Sequence, residues 1–191
     1  MVLSDEKPRA PVASKVINFN GFTLFPTFFQ IIPILYTFAS GACFFLMLFS
    51  HLPENKSGLA IASSCLIGLM YAIIFYFWFR ASSIDPTDEV QVLHRSYKIK
   101  NQSFESRKYK FFCRVCETCV GNNTYHCKKC NRCVHLFDHH CRWLNNCIGA
   151  SNYVEFLLLI LSCWVEEAFR ISISIYLMIS YLQNLAQGKK L

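Results

Sequence analysis

The sequence predicts an all-α, multi-span membrane protein of about three transmembrane helices, carrying a small cytosolic, Cys-rich, two-zinc domain of short hairpins. Three observations predict this. The 191 residues are 53% hydrophobic, include 18 Phe and have a positive mean hydropathy, a composition foreign to soluble domains. Three long apolar runs flank a hydrophilic middle. Eight of the 11 cysteines lie between Cys113 and Cys147, with four histidines among them. Disulfide frameworks need no histidine and metal sites do, so the segment reads as metal-binding and belongs in a reducing compartment.

Residues 1–24 read as a short basic tail, polar from Asp5 to Arg9. No short apolar stretch there ends in a small-residue cleavage site, so no secretory signal is expected. A transmembrane hairpin is predicted over 25–80, with spans at about 27–49 and 59–79. The first span reaches roughly 34 Å, enough to cross a bilayer core, and contains Pro33, a site for a kink. The second closes on Tyr76, Trp78 and Arg80, aromatics beside a cation as at a membrane interface.

The central segment, 81–153, is the predicted zinc-binding and catalytic domain. From Arg80 to Tyr153 there are 12 Lys/Arg against 6 Asp/Glu. Positive charge marks the cytosolic side, which places this segment and the N-terminal tail in the cytosol and residues 51–57 opposite. The sequon Asn55-Lys56-Ser57 falls on that far side; those at Asn101 and Asn122 are expected to be cytosolic and unmodified.

Residues 154–191 form the expected third span and a short tail. The apolar run of 29 residues, roughly 44 Å as a helix, is longer than a bilayer core needs and carries Glu166, Glu167 and Arg170 near its middle. Glu166 and Arg170 are four apart and able to pair on one face. Intramembrane charge is costly, so either these groups face a polar interior or the helix is broken or partly inserted. Three full crossings also place Lys189 and Lys190 outside the cytosol, against the charge rule.

Zinc takes thiolate and imidazole in tetrahedral sets, often as closely spaced pairs. Cys113/Cys116 and Cys127/Cys130 are such pairs; His126, Cys133, His140 and Cys147 can complete two three-cysteine, one-histidine sites. Spacing alone does not assign ligands to ions. His126 and Cys127 are adjacent and on an extended backbone point oppositely, which favours different ions. Cys119 overlaps with Cys116 as a further Cys-x2-Cys pair and is a possible substitute ligand. The repeated Cys-x2-Cys spacing is the one internal repeat recognised. Too few long apolar runs lie here for an ordinary core, so zinc is expected to hold residues 113–147 folded.

Asp138, His139 and Cys141 remain. On an extended strand His139 and Cys141 share one face and His140 takes the other. One histidine can then bind metal while its neighbour serves a thiol. Cys141 suits a nucleophile, His139 its general base and Asp138 the group that orients the imidazole, provided the backbone turns at Asp138. A base and the cationic neighbour Arg142 predict a readily ionised thiol. The alternative has Asp138 and His139 bracing a zinc ligand.

The ordered set Cys113, Cys116, His126, Cys127, Cys130, Cys133, Asp138-His139-His140-Cys141 and Cys147, continuing through Asn145-Asn146-Cys147-Ile148-Gly149 and Asn152-Tyr153 to Phe156, strongly resembles the DHHC-type protein S-acyltransferases (palmitoyltransferases). Asp85-Pro86 resembles the family's Asp-Pro-Gly motif, with Thr87 in the glycine position. The resemblance spans about residues 25–160. It implies one Zn2+ on Cys113, Cys116, His126 and Cys133, another on Cys127, Cys130, His140 and Cys147, and catalysis by Asp138, His139 and Cys141. It implies ping-pong transfer of a long-chain acyl group, such as palmitate, from acyl-CoA through a Cys141 acyl-enzyme to cysteines of target proteins. The implied partners are the bilayer, acyl-CoA and cytosolic-face proteins with membrane-proximal cysteines, with an accessory subunit as a further guess and no nucleic acid. The implied location is an endomembrane, ER or Golgi. The aromatic-rich first two spans are candidates to line an acyl cavity.

Three departures stand out. Val120-Gly121-Asn122-Asn123 replaces the family's Lys-Pro-x-Arg, Arg142 replaces the proline after the catalytic cysteine, and the sequence ends at Leu191 without the fourth span or the Thr-Thr-x-Glu motif. Arg142 is a candidate for binding coenzyme A phosphates. The basic, aromatic run from Arg95 to Arg114 suits anionic lipid or acyl-CoA phosphates better than nucleic acid. His135 has no assigned role, and Cys43, Cys65 and Cys163 read as apolar fillers. A catalytically inactive or truncated zinc-bearing adaptor is the competing function.

Overall fold

The computed structural model describes residues 17–23, 26–51 and 57–188. Most of the N-terminal tail, Asn55 and Lys56 of the sequon, and Lys189 and Lys190 lie outside the described residues. The order is α1 (Phe28–His51), α2 (Ser57–Ser83), α3 (Glu89–Ile99), a 3-10 turn (Ser106–Lys108), β1 (Phe111–Cys113), β2 (Thr118–Val120), β3 (Thr124–Cys127), β4 (Arg132–His135), β5 (His139–Cys141), β6 (Asn146–Ile148) and α4 (Tyr153–Ala186).

Helices α1 and α2 hold stretches of 21 and 24 residues long and apolar enough to cross a membrane. Only 17% of each stretch's most apolar window is buried, so these apolar side chains point outward, where lipid accepts them and water does not. Helix α4 runs unbroken for 34 residues through its charged middle. The break considered from the sequence does not occur, because the charges satisfy one another. Arg170 Nε lies 3.1 Å from Glu166 and its Nη2 2.8 Å from Glu167. Its Nη1 donates to Ser40 Oγ of α1 at 3.0 Å and to Tyr71 Oη of α2 at 3.1 Å. One guanidinium fork thus ties three helices together. Gly41 permits the approach: a Cβ there would stand 3.0 Å from the Tyr71 ring.

The middle of the chain is a set of three antiparallel hairpins, β1–β2, β3–β4 and β5–β6. They repeat with a period of 14 residues, more than the Cys-x2-Cys echo read from the sequence. Cys113, Cys127 and Cys141 end the first strand of each hairpin. Glu117, Asn131 and Asn145 turn the chain back with φ of 51°, 53° and 51°. Phe112, His126 and His140 face Cys119, Cys133 and Cys147 across the ladders. Helix α3, which the sequence did not announce, packs on β2. Its N-cap Asp88 accepts from Gln91 N at 2.9 Å, from Thr124 Oγ1 at 2.7 Å and from Gly121 N at 3.2 Å.

The hairpins are fastened to α2 by three side chains with no exposed surface, Arg132, Asn146 and Asn152. A helix end leaves carbonyls without donors. Asn146 Nδ2 donates to Ala81, Ser82 and Ile84 carbonyls at 3.1, 3.2 and 2.9 Å, and Asn152 Nδ2 to Ala81 at 3.1 Å. Asn146 Oδ1 accepts from Arg132 Nη2 at 2.6 Å, while Arg132 Nη1 reaches Asp85 at 2.7 Å and also bonds the Phe19 carbonyl. Asp85 in turn accepts from the Thr87 backbone and hydroxyl. Substituting Asn146→Ala strands these buried partners and is expected to destabilise the protein by about 1–3 kcal/mol, read as a lowered thermal midpoint of the purified full chain.

Candidate functional site

Each hairpin turn of the form Cys-x2-Cys meets the facing His/Cys pair of the next hairpin. Cys113 and Cys116 meet His126 and Cys133; Cys127 and Cys130 meet His140 and Cys147. Within each set all four ligand atoms lie within 4.8 Å of one another. In the first, His126 Nδ1 is 3.2 Å from Cys116 Sγ and 3.8 Å from Cys113 and Cys133 Sγ. In the second, His140 Nδ1 is 3.2, 3.8 and 3.9 Å from Cys130, Cys147 and Cys127 Sγ. A tetrahedron with Zn–S of about 2.3 Å and Zn–N of about 2.0 Å has edges of roughly 3.5–3.8 Å, so both sets fit a zinc ion. Cys119 belongs to neither set. It holds the ladder position of Cys133 and Cys147, but faces Phe112 instead of a histidine.

The protons in these sets are shared unevenly. A hydrogen bond from Cys133 holds Cys116 well below an ordinary thiol, at about 5. Its partner Cys133 is correspondingly driven up. Cys127 is lowered by hydrogen bonds from Cys130 and Cys147, and Cys130 is pushed up to about 11 by the bond to Cys127. Crowded sulfurs that cannot all ionise together are what a divalent cation stabilises, displacing the protons as it binds.

The third turn departs from this scheme. Leu144 stands where Cys116 and Cys130 stand in the others, so Cys141 is left without a partner cysteine. Its sulfur still accepts hydrogen bonds from the Leu144 and Trp143 amides, as Cys113 Sγ accepts from Cys116 N at 3.5 Å. Cys141 packs with Ala81, Leu144 and Ile148, against Trp78, Phe156 and Leu159. Burial pushes its thiol above the ordinary range, and the two amides oppose this only in part. The readily ionised thiol expected from the sequence is thereby corrected. The expected cation, Arg142, is exposed and lies over the Phe29 ring, 5.4 Å from its centroid.

Asp138 ends the turn before β5, and its Oδ2 lies 3.2 Å from His139 Nδ1. The His139 ring meets Phe156 edge-on at 5.3 Å, and Phe156 also packs against the Cys141 cluster. His139 and Cys141 therefore flank one aromatic ring, while His140 turns to the metal set. The basic run Arg95–Arg114 spreads over α3, the 3-10 turn and β1; Lys98 Nζ is spent on the Glu117 carbonyl at 2.6 Å.

A cavity of about 1100 Å3 opens beside Cys141, among α1, α2 and α4. Its wall includes Tyr36, Phe45, Phe75, Trp78, Phe156 and Trp164, along with Trp143 next to the thiol. Cys163 also lines it. The sequence offered aromatic spans without positions. Trp78 was visible there only as an interface aromatic and Trp143 had no assigned role, and the 14-residue period is the signal that marks Cys141 as the odd member.

A family model for DHHC palmitoyltransferase matches residues 106–190, the hairpins and α4. No curated protein matches the chain. The match and the two Cys/His sets agree: this stretch is a DHHC domain.

Two measurements check the site. Metal analysis of the purified full chain is expected to give two zinc ions, and one in Cys147→Ser; stripping zinc should unfold residues 113–147, since each site contributes on the order of 10 kcal/mol. Alkylation of Cys141 depends on its thiolate. A raised pKa means little thiolate at neutral pH, so labelling should climb with a midpoint above that of an ordinary exposed cysteine thiol. A midpoint below that would contradict the burial argument.

Proposed function

Because residues 106–190 form a DHHC palmitoyltransferase domain, we propose that the protein is an S-acyltransferase that moves a long-chain acyl group from acyl-CoA to cysteine thiols of other proteins through an acyl-enzyme on Cys141. The observation that carries this reading is the placement of Cys141: outside both metal sets, yet opening onto the cavity between the helices. A C16 chain gains about 0.8 kcal/mol per methylene taken out of water, and the aromatic walls offer it that surface.

In this reading His139 takes the Cys141 proton as the thiol attacks the thioester carbon. Asp138 holds the imidazole and stabilises its cation, and His139 returns the proton to the leaving coenzyme A thiolate. A target thiol then repeats the exchange, taking the acyl group and restoring Cys141. A buried, neutral thiol makes the base necessary. The residues of the two metal sets would hold zinc, whose contribution is to lock the hairpins. Arg142, exposed and in sequence between the cavity-lining Cys141 and Trp143, is the candidate contact for coenzyme A phosphates. The positive central segment supports a cytosolic orientation, with an endomembrane location and membrane-proximal target cysteines as parts of the same proposal.

Incubating purified protein with labelled palmitoyl-CoA is expected to give a hydroxylamine-sensitive adduct on Cys141, absent in Cys141→Ser. His139→Ala should slow its formation by about 10²–10⁴-fold. Label confined to other cysteines, or no label with partner binding intact in Cys141→Ser, would favour a zinc-bearing adaptor instead.

A further inference from the structure

Among the described residues, the first two hairpin turns each supply a Cys-x2-Cys pair to a metal set, and the third, Arg142–Asn145, supplies none. The third turn is held from outside its own hairpin instead, by the segment that precedes α1. Asn18, with only 3% of its surface exposed, donates from Nδ2 to the Asn145 carbonyl at 3.2 Å. Its backbone N–H donates to the Cys130 carbonyl of the second turn at 3.1 Å. Asn145 Nδ2 returns a bond to the Gly21 carbonyl at 3.3 Å. Gly21 N–H donates to the Ser82 carbonyl of α2 at 2.7 Å, and the Gly21 carbonyl also accepts from Gln30 Nε2 of α1 at 3.3 Å. The approach is close: a Cβ on Gly21 would stand 2.2 Å from the Leu144 carbonyl oxygen. The amide of that same Leu144 is one of the two that donate to the Cys141 sulfur.

We infer that Asn18 and Gly21 are positioning residues for Cys141, and that their segment does for the third turn what a bound ion would do for the first two. The inference rests on the acyl-transfer reading above. Amide contacts hold a sulfur in place only while the turn that carries them keeps its shape. Here that turn is bonded to the second hairpin through Asn18 and, through Gly21, to α1 and α2. Both helices line the cavity that Cys141 opens onto, so the clamp fixes the sulfur relative to the space the acyl chain would fill. Releasing it lets Leu144 and Asn145 shift, and a misplacement of about 1 Å at a reacting atom costs up to about 100-fold in rate. Neither Asn18 nor Gly21 is part of the cavity wall, so the loss falls on the rate of attack and not on the affinity for acyl-CoA.

The test uses the purified full chain in lipid, with Asn18→Ala, Gly21→Ala and the control Phe19→Ala, which removes an exposed ring from the same segment. Hydrogen exchange of the Trp143–Asn145 amides is expected to quicken about 10-fold in Asn18→Ala and further in Gly21→Ala. Exchange in the first two hairpins and zinc content should stay at wild-type values. The maximal rate of Cys141 acylation by palmitoyl-CoA should fall about 10–100-fold with KM unchanged, and Phe19→Ala should match the wild type throughout. Unaltered exchange at the third turn in both variants would overturn the clamp. Quickened exchange across residues 113–147 with lost zinc would make the segment a general stabiliser and overturn it as well. Quickened exchange at the third turn with acylation at the wild-type rate would overturn the positioning role while leaving acyl transfer standing. Failure of the wild type to form a Cys141 adduct would overturn the acyl-transfer reading, and the positioning role with it.

Discussion

The structure depends on one junction, where the amide of Asn146 closes the end of α2. Three backbone carbonyls that a helix must leave open are met by one side chain, and Asn152 shares the first of them. Arg132 holds that amide from behind. Because Asn146 lies in β6, next to Cys147 and across the ladder from Cys141, the membrane helix, the second metal set and the thiol are positioned by the same few hydrogen bonds. Gly21 completes the fit: a Cβ there would collide with the Leu144 carbonyl at 2.2 Å.

The hairpins explain how a reactive group arises from a structural repeat. Each ion would join the turn of one hairpin to the ladder of the next, so the hairpins are linked in series. The series runs out at the third turn, where α4 follows and, among the described residues, no fourth ladder supplies a histidine and cysteine. Cys141 keeps the amide environment of a metal-binding sulfur but has no ion to hold. Its free sulfur is a consequence of repeat arithmetic as much as of any local feature.

Much of this was legible in the sequence. The eight ligands are marked by residue type and spacing, and α1 and α2 by unbroken apolar runs. The pairing of Glu166 with Arg170 followed from helical periodicity. What stayed hidden depends on tertiary contact. Nothing in the local sequence of Asn146 or Asn152 says that they cap a helix some 60–70 residues earlier. The reach of Arg170 to Ser40 and Tyr71 is equally remote. The acidity of Cys141 was misjudged because its charged neighbours are visible in sequence and its burial is not; Arg142, adjacent in the chain, turns away to Phe29.

The seclusion of Cys141 has a chemical consequence. Peroxide and other water-borne oxidants act on exposed, ionised thiols, and this sulfur is neither. Reagents that partition into oil meet it far more readily than those that stay dissolved. A cell could therefore keep such a thiol reduced and ready through oxidative episodes that consume its surface cysteines, without any dedicated repair of that residue.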